Sequence, residues 1–207
     1  MGCDAQMTAT IIAAGLSDFA KYVEQLPDLA VEAAYLAVNE AARDTVPAIK
    51  RRMRQQINFP ATYLNKDRLG VRRKATRDRL EAVISGRDRA TSLARFAEGA
   101  TKQNTRGRPI TVKVKTGHQT RLNRAFIVDL RNGNRGLAIR LPKGQKPSSA
   151  YKPVPLTRGG GKETGAWLLY GPSVDQVMKG VSGEVQDDIG EMLSRNFLRQ
   201  LSRLTRG

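Results

Sequence analysis

The stretch RAFIVDLRNGNRGLAIRL, residues 124–141, decides how this chain folds. Phe126, Val128 and Leu130 alternate with Ile127, Asp129 and Arg131, and Leu137, Ile139 and Leu141 resume the alternation beyond Asn132-Gly133. Period-two patterning on both sides of a turn dipeptide predicts a β-hairpin. Asn-Gly tolerates the positive φ angles of a type I′ turn, and the longer run NGNRG also accommodates a longer loop. Farther on, WLLYGPSVDQVM, residues 167–178, reads as a strand that stops at Gly171-Pro172 and gives way to a helix. Residues 166–170 are nearly all apolar, which predicts a strand covered on both faces. Pro172 suits the first turn of that helix, with Ser173 or Gly171 as its cap.

Working outward, Ile110, Val112 and Val114 alternate with Thr111, Lys113 and Lys115 and predict a half-buried strand. Leu80, Ala82 and Ile84 predict another over residues 80–85. Residues 91–97 are short and ambiguous, and residues 99–109 lack apolar periodicity and read as a loop. Toward the N-terminus the period changes to helical. Ile12, Leu16, Phe19 and Val23 mark a helix over 11–25, and Leu29, Ala33, Leu36, Val46, Ile49, Met53 and Ile57 mark a longer one over 28–57. Pro47 either kinks or divides it, and the in-phase stripe beyond it favours a kink. Residues 142–162, with four prolines and Gly159-Gly160-Gly161, predict a long basic loop. Gly180 and Gly183 set off a last amphipathic helix over about 184–204, with acids at its start and Arg195, Arg199 and Arg203 along one stripe. The expected class is α+β: a single domain over 1–207, helical over 11–57, strand-rich over 80–171 and helical again over 173–204.

Composition narrows the function. The net charge is +17, which implies attraction to an anionic partner such as nucleic acid, an acidic protein surface or a lipid headgroup. Aromatics make up only 5%, too few for a base-stacking platform, so a nucleic-acid contact would address the backbone. A single cysteine, Cys3, excludes an intrachain disulfide and suggests a reducing compartment. There is no run of 18 apolar residues and no secretory pattern, and Gln6 spoils a myristoylation signal. No membrane partner is expected.

Catalytic and metal motifs are not evident. The only histidine, His118, sits beside Gly117 in a predicted hairpin turn and reads as a surface residue. Glu163 follows Lys162 where a phosphate loop needs Ser or Thr, so 159–162 reads as flexible loop. Asp187, Asp188 and Glu191 fit the start of a helix. No cofactor, no metal and no enzyme activity are expected. The basic stretch 68–79 admits three readings: a solvated segment, packing against an acidic neighbouring subunit, or contact with a DNA backbone. Trp167 and Tyr170 read as core or interface aromatics.

Three blocks carry a family likeness: NFPATYLNKDRLGVRRKATRDRLEAVISGRDRATSLARF (58–96), the hairpin 124–141 and WLLYGPSVDQVM (167–178). In this order they resemble the minor tail protein Z family of long-tailed bacteriophages. The resemblance implies a structural virion protein of the tail and neck, made in the host cytoplasm. It would complete the head-proximal end of the tail and serve head–tail joining and positioning of the genome end. It also implies a long helix packed on a small, mainly antiparallel sheet, in subunits assembled as a ring, hexameric by expectation. The expected partners are further copies, an adjacent tail terminator or head–tail connector, and the genomic DNA backbone. Under this reading Arg72, Arg73, Lys74, Arg77, Arg195, Arg199 and Arg203 are candidates for subunit interfaces or the DNA channel. Lys152, Arg158 and Lys162 are candidate loop contacts to neighbours. The rival class is a standalone, sequence-nonspecific nucleic-acid-binding protein.

Overall fold

Small side chains decide how the first helix packs. The computed structural model describes residues 28–99, 108–142, 145–157 and 163–206; the helix expected over 11–25 lies outside them. Helix α1, Asp28–Gln56, runs unbroken through Pro47. Proline has no N–H to donate, yet the helical phase survives, and two residues earlier Thr45 Oγ1 donates to Ala41 O at 2.7 Å. Its buried face is built on Ala30, Ala33, Ala34, Ala37, Ala41 and Ala42, then Ile49 and Met53. The expected stripe through Leu29, Leu36 and Val46 is therefore corrected: Leu29 is 47% exposed, and the other two are half-buried. Alanine lets a neighbouring element approach the helix backbone closely, where leucine would overpack.

The architecture is α+β. The chain forms two compact units and passes between them four times: residues 1–53, 64–88 and 174–207 make the first, 54–63 and 89–173 the second.

In the first unit, β1 (Leu69–Arg73) pairs antiparallel with β2 (Val83–Gly86), with an irregularity between Val71 and Arg73. Strand β1 lies inside the stretch read only as basic; Leu69 and Val71 are too few among the arginines to announce it. Strand β2 is shorter than the expected 80–85 and buried at every position rather than alternating. Asn39 of α1 donates from Nδ2 to Ala75 O and accepts from Ala75 N–H at Oδ1, at 2.9 and 2.8 Å, satisfying both backbone groups after β1. Helix α2 (Val174–Ser182) leads through a 3-10 turn, Gly183–Val185, into α3 (Gln186–Arg206). Pro172 thus precedes α2 instead of occupying its first turn, and Gly180 lies inside it. Val38 and Ala41 of α1, Ile84 of β2, and Ile189 and Leu193 of α3 converge on one small void of about 30 Å³. The helices therefore cover the hairpin from this side. Along α3, Ile189, Met192, Phe197, Leu201 and Leu204 are only half-buried, and Asn196 is the buried residue.

In the second unit, β9 (Glu163–Gly171) is the organising strand. It pairs antiparallel with β3 (Thr91–Ser92), β7 (Arg135–Arg140) and β8 (Val154–Thr157), and β7 pairs in turn with β6 (Ala125–Asp129). As expected for the apolar run, Ala166, Leu168 and Leu169 are buried although they point to both faces. Strand β8 corrects the long-loop expectation over 142–162. Its Pro155 is tolerated because β8 pairs on one side only, where a missing N–H costs little. The β6–β7 hairpin forms as expected, but not on a type I′ turn. Gly133 (φ 74) alone has positive φ there, its N–H donates to Leu130 O, and Leu130 N–H donates to Asn134 O. A type I′ turn needs positive φ at both central residues, so the connection is the longer loop of residues 131–133. Strand β4 (Ile110–Val112) pairs with β5 (Thr120–Leu122) across a turn that holds Gly117 and His118, as predicted.

Two glycines of the first unit make opposite predictions. A Cβ on Gly86 would lie 2.8 Å from the Asp175 backbone, whereas one on Gly180, exposed within α2, would meet nothing within 4 Å. Gly86→Ala should destabilise by about 2 kcal/mol because backbone cannot yield. Gly180→Ala should stabilise by about 0.5–1 kcal/mol by removing chain entropy. Urea melts of the two variants beside the parent check both signs.

Candidate functional site

Charge is unevenly divided between the two units. The first holds 18 Lys and Arg against 16 Asp and Glu, a formal charge of +2; the second holds 18 against 3, or +15. The bases are equal in number, so the asymmetry comes from missing acids. The second unit's acids are Glu98, Asp129 and Glu163 alone.

The cations singled out at 68–79 and on the last helix fall in the nearly neutral unit, and several are engaged there. Arg72 donates to Asp67 O at 2.6 Å, Arg73 pairs with Glu81 at 2.6 Å, and Arg77 pairs with Glu32 of α1 at 3.5 Å. Arg199 bridges to Glu40, and Arg203 donates to Gln200 Oε1. Lys74 and Arg195 are exposed, with no ion pair among the described residues. Glu40 is the hub of this network. Burial pushes its carboxyl upward, but hydrogen bonds from Arg199 and Gln200, with the charges of Arg199 and Arg43, outweigh that and hold it below the ordinary glutamate range.

In the second unit, Lys152 is exposed, in left-handed conformation (φ 41), just ahead of β8. Arg158 and Lys162 lie outside the described residues. Trp167 and Tyr170 are both half-buried on β9, three residues apart and so on opposite faces of the strand. Trp167 stands opposite Ile139 of β7 and Pro155 of β8.

A cleft of about 620 Å³ opens within this acid-poor unit, lined by residues 58, 60, 95–98, 113 and 117–119. One wall is the 3-10 turn Leu93–Phe96, which places Arg95 outward and Phe96 inward. Phe59 stacks on Tyr63 with ring centroids 5.7 Å apart and meets Phe96 at 5.9 Å, and the Arg95 guanidinium lies 4.9 Å from the Tyr63 ring centroid. The other wall is the tip of the β4–β5 hairpin, tied to the end of α1 through the backbone. Thr116 N–H donates to Gln56 O, Asn58 N–H donates to Val114 O, and Asn58 Nδ2 donates to both Lys113 O and Lys115 O. Lys113 Nζ is 2.8 Å from a Glu98 carboxylate oxygen. The cleft thus presents nitrogen donors on a rigid frame. Among the described residues, no three His, Cys, Asp or Glu side chains gather to hold a metal, and no helix is long and apolar enough to cross a membrane.

The cleft is not legible in the sequence because its cations, Arg95 and Lys113, belong to no run of bases. The available signal was the scarcity of acids between residues 89 and 173, which contain three carboxylates. No protein-family model, curated protein or solved structure matches the chain.

The Glu40 network makes a pH prediction. A carboxyl held low in the folded state stabilises above its unfolded value, about 4.3 for glutamate, and that contribution disappears as pH falls through the folded value. Glu40→Gln should therefore melt below the parent at neutral pH, by about 1 kcal/mol, and the gap should close in acid. Parallel thermal melts from pH 7 downward measure it; a gap independent of pH would contradict the assignment.

Proposed function

We propose that this chain is a structural protein of the tail–head junction of a long-tailed bacteriophage. In this reading it assembles with copies of itself as a ring that completes the tail, with its acid-poor unit toward the genome backbone. The observation that carries the proposal is the concentration of charge, +15 of +17, in one unit. A polyanion with uniform charge density is met by a surface from which carboxylates have been removed, because each acid would cancel a base and restore condensed counterions. The three sequence blocks that resemble tail protein Z supply the assembly context. A ring closing on itself joins one patch to a different patch on the next copy, which suits a subunit whose two units differ so much in charge. Ring partners, the neighbouring terminator or connector, and residence in the virion all belong to this proposal.

The same charge division favours a second reading, a standalone nucleic-acid-binding protein without sequence readout. The two part on what the particle needs. Electron microscopy of particles from a phage stock with a nonsense mutation in this gene should show filled heads beside separate, full-length tails. Joined and infectious particles would remove the virion role and leave the standalone reading. Under either reading, affinity for a short DNA duplex should fall steeply as salt rises, with a slope of about −0.9 per phosphate contact. Replacing cations of the second unit should flatten that slope more than replacing Arg195 and Arg203 of α3.

A further inference from the structure

We propose that the cleft between the Leu93–Phe96 turn and the β4–β5 hairpin tip binds one phosphodiester group of a nucleic-acid backbone, with Arg95 as its principal contact. The inference deepens, and rests on, the assignment of the acid-poor unit as the surface that meets a polyanion.

The side chains argue for an oxyanion. Arg95 has no acidic partner among the described residues, so its charge is uncancelled. The guanidinium lies over the Tyr63 ring, an attraction that positions it without an oxygen acceptor taking up its N–H donors. Tyr63 is itself held from below: it stacks on Phe59, and its hydroxyl donates to the buried Thr91 Oγ1 at 3.2 Å. The planar fork is therefore preorganised, and phosphate recognition gains from a donor that loses little freedom on binding. Lys113 stands in the same cleft at 2.8 Å from Glu98, whose side chain is 71% exposed. An exposed pair of this kind is weak, so an entering phosphate exchanges with the carboxylate for the ammonium. His118 and Gln119 add N–H donors from the opposite wall. Among the described residues the only carboxylate lining the cleft is that of Glu98, which is 71% exposed and turns to water when the phosphate takes Lys113.

The geometry suits a backbone group better than a base. The aromatic cluster of Phe59, Tyr63 and Phe96 is buried, so these rings offer no face for stacking. The cleft is also part of a unit charged +15, whose field concentrates anions at a concave surface.

His118 is the chain's only histidine, so selective isotopic labelling of the full chain gives a single imidazole signal. Titration with a short DNA duplex of mixed sequence should shift that signal saturably. Arg95→Gln should abolish most of the shift and weaken duplex affinity by about tenfold, the loss of one two-pronged charge-assisted contact. Arg95→Lys, which keeps the charge and loses the fork, should fall between. Arg131→Gln, at the exposed tip of the β6–β7 hairpin, should weaken binding by about the twofold to threefold expected of one nonspecific charge and leave the His118 shift intact. Fluorescence anisotropy run alongside separates the two levels. Duplex binding with an unmoved His118 signal, or with Arg95→Gln indistinguishable from Arg131→Gln, overturns the cleft while the acid-poor surface stands. No binding at low salt overturns both.

Discussion

Strand β9 is the element on which the second unit depends. It hydrogen-bonds to β3, β7 and β8, so three separate segments share one template. A strand used this way has to be apolar on both faces, and Ala166, Trp167, Leu168 and Leu169 meet that condition. Through β3 it places the Leu93–Phe96 turn, since a Cβ on Gly171 would touch the Phe96 ring at 3.2 Å. Phe96 in turn carries the aromatic cluster beneath Arg95. The cleft is thus coupled to β9 by a short chain of contacts within one unit.

The second constraint is electrostatic, and it acts by subtraction. A chain with 36 cations folds without difficulty where acids stand near them, as in the first unit. There, Glu32, Glu40 and Glu81 each hold an arginine. The second unit carries as many cations with hardly any acids, and self-repulsion of that size works against a compact state. Among the described residues, Arg124, Arg131, Arg135 and Arg140 sit exposed at strand ends and turns, where water screens them. The excess then remains available to a polyanion outside the protein. That connects the composition to the proposed place beside a genome.

Much of the fold was legible because local patterns and tertiary demands agree. The 124–141 hairpin, the apolar strand at 166–170, the β4 strand and the two long helices follow from period and punctuation alone. The failures have physical causes. Strand β1 was invisible because arginines dominate it and pairing with β2, not local pattern, makes it a strand. Strand β8 was hidden by prolines that are admissible only on a strand paired on one side. The alanine face of α1 was misread because hydrophobicity ranks leucine above alanine, whereas close packing of a helix against a hairpin ranks them the other way. As for the site, none of the cations or aromatics singled out from sequence lines the cleft; Arg95 and Lys113 do, and no local pattern marks them.

The sequence by itself determined the α+β class, the hairpin, the net charge and the paucity of catalytic and metal-binding motifs, because these depend on composition and on neighbours a few residues apart. Only the tertiary structure decided which cations are neutralised and which are not. Glu40 reaches Arg199 and Gln200 across about 160 residues of chain. Arg95, Lys113 and His118 share a cleft only because a hairpin tip is tied to the end of a helix near residue 56. Charge is a property of the chain; whether it is available to a partner is a property of the fold.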